Sequence, residues 1–280
     1  MRARRTFRYH EDMPIPDRLN PTFATTADPT IARELAPAGS ADDPLDAARQ
    51  RLIVALDVPS REAALALVER LEGQCLWLKV GLELFVAAGP RIVEELAGRG
   101  HSIFLDLKFH DIPNTVAGAV RSAATLGAAM INVHAGGGPT MLRAARAALE
   151  GIANPPQLLA VTVLTSMDQE QVSAVGLERA PAAQVELLAR MSLEAGVGGF
   201  VCSPKEVATL RALAGPEALL VVPGIRPAGS DTGDQKRIAT PAETIRAGAS
   251  HLVVGRPITQ AAKPAEAAEA VLREIAGALA

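Results

Sequence analysis

From residue 51 onward the chain repeats one pattern: an apolar run, a polar or glycine-containing turn, then a segment with apolar residues at helical spacing. The apolar runs are 51–57, 76–81, 102–108, 130–135, 158–164, 199–203, 219–225 and 251–256. Between them lie alanine- and leucine-rich helical segments at 61–71, 90–99, 115–126, 140–149, 182–195, 205–214 and 241–247, and a last helix at 264–279 closes the chain. Near-continuous apolar strands alternating with helices predict a parallel sheet covered on its outer face. Eight such units within residues 51–280 fit an α/β fold of the (β/α)8 TIM barrel type, usually about 250 residues long. An open doubly wound sheet is the alternative, but the regularity of the units and the lack of Gly-x-Gly-x-x-Gly after the first run argue against it.

The first fifty residues break this pattern. They hold a basic start (Arg2, Arg4, Arg5, Arg8), scattered prolines, the acids Glu11, Asp12, Asp17 and Asp28, and no continuous apolar segment of the secretory kind. The expected organisation is a flexible extension over 1–50, with a short helix across 44–51, and a single barrel domain over 51–280.

Composition narrows the function classes. The formal net charge is −3, so no global basic field points to nucleic acid, and aromatic residues make up only 3% of the chain, too few for base-stacking platforms. No apolar run approaches the roughly 18–20 residues needed to span a bilayer. Cys75 and Cys202 lie inside apolar runs without metal-ligand spacing, as expected of buried reduced thiols in a cytoplasmic protein.

A barrel places its chemistry at the carboxyl ends of its strands. Polar residues gather there: Asp57, Lys79, Asp106, Lys108, His134, Thr165 and Ser166, Arg226 and Arg256. The densest array is the third run and its continuation, Asp106-Leu107-Lys108-Phe109-His110-Asp111-Ile112-Pro113-Asn114-Thr115. Residues i and i+2 of a strand share a face, so Asp106 and Lys108 should point the same way, with Asp111 in the turn beyond. Packed opposite charges are costly to desolvate unless they pair, so this array points to chemistry using a fixed negative charge and a positioned proton donor.

The seventh and eighth runs end in Pro223-Gly224-Ile225-Arg226 and Gly255-Arg256-Pro257. Loops at these positions of barrels commonly bind phosphate. Gly224 and Gly255 admit close backbone approach, and Arg256 offers a planar donor fork. The long polar stretch 226–240 reads as a lid able to bring Gln235 to a ligand. His10, His101 and His251 read as structural or solvated, His110 as packing or solvent-facing, His134 as a rim hydrogen-bonding group, and Trp77 as core or interface.

These residues resemble the orotidine 5′-phosphate decarboxylase family. Besides the third-run motif, the landmarks Ala55-Leu56-Asp57, Leu78-Lys79-Val80-Gly81, Asn132-Val133-His134-Ala135, Val163-Leu164-Thr165-Ser166, Pro223-Gly224-Ile225-Arg226, Gly233-Asp234-Gln235 and Gly255-Arg256-Pro257-Ile258-Thr259 follow in order. The resemblance covers about residues 51 to 275. It implies a decarboxylase without metal or other cofactor that converts orotidine 5′-monophosphate into UMP and CO2, working as a homodimer with shared active sites. By motif position it implies that Asp57 and Lys79 hold the ribose, Asp106 lies by the substrate carboxylate, and Lys108 protonates C6. Asp111 and Thr115 would reach the partner's site, and Thr165 and Ser166 would face the pyrimidine and ribose. Pro223, Arg226, Gln235, Gly255 and Arg256 would form the phosphate end. Two rivals stand beside it: a magnesium-dependent phosphosugar decarboxylase or synthase sharing Asp-x-Lys-x-x-Asp, and a non-catalytic phosphate-binding barrel. Lys79 argues against the first by repelling the ion, and the complete charged array argues against the second.

Overall fold

The computed structural model describes residues 44–227 and 238–280. Eight parallel strands close in chain order into a barrel: β1 (Leu52–Ala55), β2 (Trp77–Gly81), β3 (Ser102–Phe109), β4 (Met130–His134), β5 (Gln157–Val161), β6 (Gly199–Val201), β7 (Leu219–Val222) and β8 (His251–Val254). β8 pairs back onto β1 through Leu52↔Leu252 and Val54↔Val254, so the sheet has no open edge. The expected (β/α)8 barrel is the observed one, and the open-sheet alternative is excluded.

The helices are α1 (Pro44–Arg49), α2 (Arg61–Arg70), α3 (Leu82–Ala88), α4 (Arg91–Gly98), α5 (Pro113–Ala124), α6 (Gly138–Ala147), α7 (Gln169–Ala174), α8 (Pro181–Glu194), α9 (Val207–Ala214), α10 (Pro241–Arg246), α11 (Arg256–Thr259) and α12 (Pro264–Leu279). Local chemistry starts several of them. The Ser60 side chain accepts from the amide of Ala63 at the head of α2, Asp168 does the same for Gln171 at α7, and Thr240 with Glu243 forms a reciprocal capping box at α10. α1 packs against α12, with Ala48 fully buried in the main core. Of the flexible extension expected over 1–50, residues 1–43 lie outside the described residues.

The two faces of each strand go to different places. Leu52 and Val54, Leu78 and Val80, Ile103 and Leu105, Leu220 and Val222 join one large apolar layer shared with the helices. Their alternating neighbours Ile53, Ala55, Phe104, Met130, Leu159, Val161, Val201, Val221 and Val253 fill the barrel interior, with Trp77 and Leu219 packed against them. This period-2 division is what a parallel strand buried on both faces requires. On the interior face the sequence turns polar at the carboxyl end: Lys79 follows Trp77, Asp106 follows Phe104, and Asn132 follows Met130. The apolar plug thus ends in a charged layer.

Several expected strands run past the observed ends. The runs expected to 57, 164, 203, 225 and 256 leave the ladder at Ala55, Val161, Val201, Val222 and Val254, and the remaining residues form the rim. Arg256 therefore does not end the eighth strand; it opens the short helix α11, where Pro257 occupies a first-turn position that lacks a helical donor in any case. α3 and α7 have no counterpart among the expected helices. α3 turns Leu82 and Val86 outward, so its pattern does not read as a core-facing helix.

Candidate active site

A cavity of about 410 Å³ opens at the carboxyl ends of the strands. Its wall includes Asp57, Lys79, Asp106 and Lys108, then Thr165, then Pro223, Gly224, Arg226, Gly255 and Arg256, with Gly255 beside Asp57 where the barrel closes. The charged side is a continuous chain of contacts. Lys79 Nζ donates to Asp57 Oδ1 at 2.7 Å and lies 3.7 Å from Asp106 Oδ2. Lys108 Nζ donates to Asp106 Oδ1 at 2.7 Å. Asp57, Lys79, Asp106 and Lys108 thus alternate in sign within one chain. Asp57 is largely exposed while Lys79 and Asp106 are buried, so the array runs from the mouth inward.

Burial by itself would raise the Asp106 carboxyl. The ammonium groups of Lys79 and Lys108, with hydrogen bonds from Lys108 and Asn132, reverse that effect and hold it below the ordinary carboxylate range. An ionised Asp106 in a half-dry site supplies fixed negative charge. The buried members depend on their neighbours: removing the partner of Lys79 or Asp106 leaves a buried charge unpaired, at a cost of about 3–5 kcal/mol.

Asp106 and Lys108 do meet on one face, as the alternation requires, but β3 is not regular there. Lys108 has φ 51°, a left-handed conformation that costs a non-glycine residue of order 1–3 kcal/mol. Asn132, fully buried on β4, accepts from the Lys108 amide and donates to Asp106 Oδ1, each at 2.7 Å. Beyond it, His134 lies 5.3 Å from His110, ring centroid to centroid. Burial, then His110 and Lys108, push His134 below the ordinary imidazole value, with Asp106 opposing.

The structure brings most of the expected residues together and separates three. Ser166 is exposed and absent from the cavity wall, because the chain turns between Leu164 and Met167 (Met167 N–H donates to the Leu164 carbonyl, 2.9 Å) and presents Thr165 inward and Ser166 outward. Asp111 and Thr115 line a second, shallower recess with Leu107, Lys108, Phe109 and His110. Asp111 is exposed and accepts from the neighbouring Ile112 amide at 2.6 Å. Gln235, and with it the body of the expected lid, lies outside the described residues. The base of that loop is closed by Ile225 pairing with Ala239, and the Arg226 amide donates to the Ala239 carbonyl at 3.0 Å.

Other wall residues were not anticipated from sequence. Val161, Val163, Leu164, Val201 and Val253 give the cavity an apolar floor, and Gln260 adds an amide near Arg256. Cys202 is buried as expected but also borders the cavity, whereas the Cys75 thiol is pushed up to about 12 by burial, with Arg49 opposing the rise. The signal for Asn132 was available: it is the next interior position on β4, opposite Asp106. Among the described residues, no group of three or more His, Cys, Asp or Glu side chains converges as a metal site would require, and no helix is long and apolar enough to cross a membrane.

The cavity and its array can now be compared with known proteins. Residues 50–271 match the family model described as Orotidine 5′-phosphate decarboxylase / HUMPS family. A Chromohalobacter salexigens protein named orotidine 5′-phosphate decarboxylase is 53% identical over 225 residues, 80% of this chain and 95% of that protein. A Pseudomonas aeruginosa protein of the same name is 50% identical over 232 residues, 82% of this chain and 100% of that protein. Among solved structures, orotidine 5′-phosphate decarboxylase from Lactobacillus acidophilus superposes with a TM-score of 0.70 at 39% identity, covering 81% of this chain and 99% of that one. The barrel, the order of its rim residues and the extent of these matches lead to one conclusion: the chain belongs to the orotidine 5′-phosphate decarboxylase family.

Proposed function

We propose that the chain is a carboxy-lyase of pyrimidine biosynthesis, converting orotidine 5′-monophosphate to UMP and CO2, with Lys108 as the proton donor to C6. The single observation that carries this reading is the Asp57–Lys79–Asp106–Lys108 chain of contacts at the cavity wall. Loss of CO2 from C6 leaves a carbanion in the plane of the ring, with no conjugated system to take the charge. Catalysis then rests on charge stabilisation and on placement. The Lys108 ammonium, held in the cavity by Asp106, stabilises the developing carbanion and delivers a proton to it. Asp106 lies beside the departing carboxylate, and Lys79 keeps it ionised. Asp57 and Lys79 hold the ribose hydroxyls, and Thr165 faces the pyrimidine.

The phosphate end follows from the part of the wall that β7 and β8 supply. Gly224, at φ 84°, adopts a backbone shape that favours glycine, and Gly255, just before α11, lets an anion approach the backbone closely. Arg226 and Arg256 supply guanidinium groups, one buried and one exposed. By its place in the motif Gly233-Asp234-Gln235, Gln235 is the further phosphate-binding residue of this reading. Phosphate is remote from C6, so the energy of holding it serves to organise the reacting end.

The active unit is a homodimer with shared sites. Asp111 and Thr115 border a recess next to Lys108 rather than this chain's own cavity, as residues serving a neighbouring copy would. Leu82, Val86 and Ile112 are exposed apolar side chains just beyond β2 and β3, at the same end of the barrel. Such clustering favours burial against another subunit. Cytoplasmic residence fits two reduced, buried cysteines.

The magnesium-dependent relatives are the competing reading. The Lys79 ammonium stands between the Asp57 and Asp106 carboxylates, where a divalent cation would otherwise sit, and repels it. The deciding experiment is the fall in orotidine 5′-monophosphate absorbance on adding purified protein with EDTA present. Turnover supports the reading. No turnover, with magnesium restoring activity on a sugar phosphate, would move the chain to those relatives.

A further inference from the structure

β3 and β4 pair in register through Leu105↔Ile131, and pairing resumes at Phe109↔Val133. Four steps on β3 (105 to 109) therefore face two steps on β4 (131 to 133). The surplus backbone forms a bulge with lost ladder hydrogen bonds, and it contains Asp106 and Lys108. Asn132 is the residue opposite. Its Oδ1 accepts from the Lys108 amide and its Nδ2 donates to Asp106 Oδ1, each at 2.7 Å. The partners dictate the orientation of the carboxamide, because an amide N–H only donates and an ionised carboxylate only accepts.

Asn132 is fully buried and does not border the cavity. It cannot touch a ligand there, so whatever it does for chemistry passes through its two partners. Lys108, at φ 51°, stays left-handed only where its surroundings hold it. We propose that Asn132 is a positioning residue for decarboxylation: its carboxamide fixes the β3 bulge in the shape that returns the Lys108 ammonium onto Asp106 and into the cavity. The inference rests on the reading of Lys108 as proton donor given above. Leucine matches the shape but neither donates nor accepts. An ionised carboxylate accepts twice and confronts Asp106.

The variant Asn132→Asp separates positioning from packing, because it is isosteric and its chemistry changes with pH. The introduced carboxyl would face Asp106 and Lys108 from β3, Lys79 of β2 through Asp106, and His134 on its own strand. Protonated, it again donates to Asp106 and accepts from the Lys108 amide. At about pH 8 its kcat on orotidine 5′-monophosphate should fall about 100-fold, with UMP affinity within about threefold of the unmodified protein. On lowering to about pH 5.5 the ratio of variant to unmodified kcat should rise about tenfold or more. A packing role alone leaves Asn132→Leu, which keeps the shape without either hydrogen bond, near the unmodified kcat, whereas positioning lowers it about 100-fold. A flat ratio, or near-normal kcat at the higher pH, overturns the proposal.

Hydrogen exchange on the unmodified protein needs no variant. The Lys108 amide should exchange as slowly as the ladder amides of β3; exchange at the rate of an exposed loop overturns the pinning by Asn132. Absence of turnover by the unmodified protein would instead overturn the functional reading, so the two failures are distinguishable.

Discussion

Gly81 stands two residues beyond Lys79 on the same face of β2, and a Cβ placed on it would lie 2.9 Å from Lys79 Nζ and 3.3 Å from Asp57 Oδ1. The ammonium of Lys79 therefore occupies the space a side chain at 81 would fill. The backbone of Gly81 itself is ordinary, with φ −96°, so the glycine is required by its neighbours rather than by its conformation. Gly81→Ala should fold, displace Lys79 from Asp57, and lower kcat/KM for orotidine 5′-monophosphate about tenfold or more. Steady-state kinetics indistinguishable from the unmodified protein would contradict this.

Arg256 opens α11 at the cavity wall and is solvent-exposed. A guanidinium in that position recognises phosphate oxygens through paired donors. Arg256→Ala should weaken UMP binding about 100-fold and uridine binding by less than about threefold. Equal losses for nucleotide and nucleoside, measured by titration calorimetry, would place the phosphate elsewhere.

At the opposite end of the barrel, His251 meets Trp77 edge-on with ring centroids 5.1 Å apart. Its Nδ1 and the Trp77 Nε1 are buried without a hydrogen-bond partner among the described residues. Burial, then Arg51, push His251 down to about 4 from the model-peptide value of 6.5. Between those values the unfolded chain binds a proton that the folded chain refuses. Stability must then fall as pH drops from about 6.5 to about 4, by about 3 kcal/mol at 1.36 kcal/mol per unit. Asp106 acts in the same sense but at lower pH: its folded value lies below 3.8, so its contribution is full above that value and lost only beneath it. Urea unfolding across this range should show the slope, and His251→Phe should reduce it. An unchanged slope in the variant would rule His251 out as its source.

The shared-site reading predicts complementation. Lys108→Ala and Asp111→Ala should each be inactive alone. Mixed after co-refolding, half the dimers pair unlike chains and carry one intact site, so about a quarter of the sites regain activity. No recovery in a mixture shown to contain hybrid dimers would mean that Asp111 serves its own chain.

The barrel was legible because each strand is apolar on both faces and each helix is punctuated by a cap or a proline. The charged array was legible for a related reason. Counting by two along β1, β2 and β3 leads from Ala55 to Asp57, from Trp77 to Lys79, and from Phe104 to Asp106. The same count on β4 leads from Met130 to Asn132, a signal missed because an asparagine in a strand carries no charge to draw notice. The Lys108 bulge had no such signal, since a left-handed lysine depends on a partner remote in sequence. Ser166 was assigned to the ligand together with Thr165 by motif position, and neighbouring residues in the turn closed by Met167 and Leu164 cannot both face the cavity. α3 escaped notice because it is short and mixed in pattern: Leu84 is buried while Leu82 and Val86 face outward, so no single apolar stripe marks it.

If the Lys108 ammonium protonates C6, turnover of orotidine 5′-monophosphate must collapse in Lys108→Ala, in a protein shown to bind UMP. Loss by at least about a thousandfold is expected, as removal of a proton donor and of the charge facing the carbanion requires. Turnover within about tenfold of the unmodified protein would take the protonation away from Lys108.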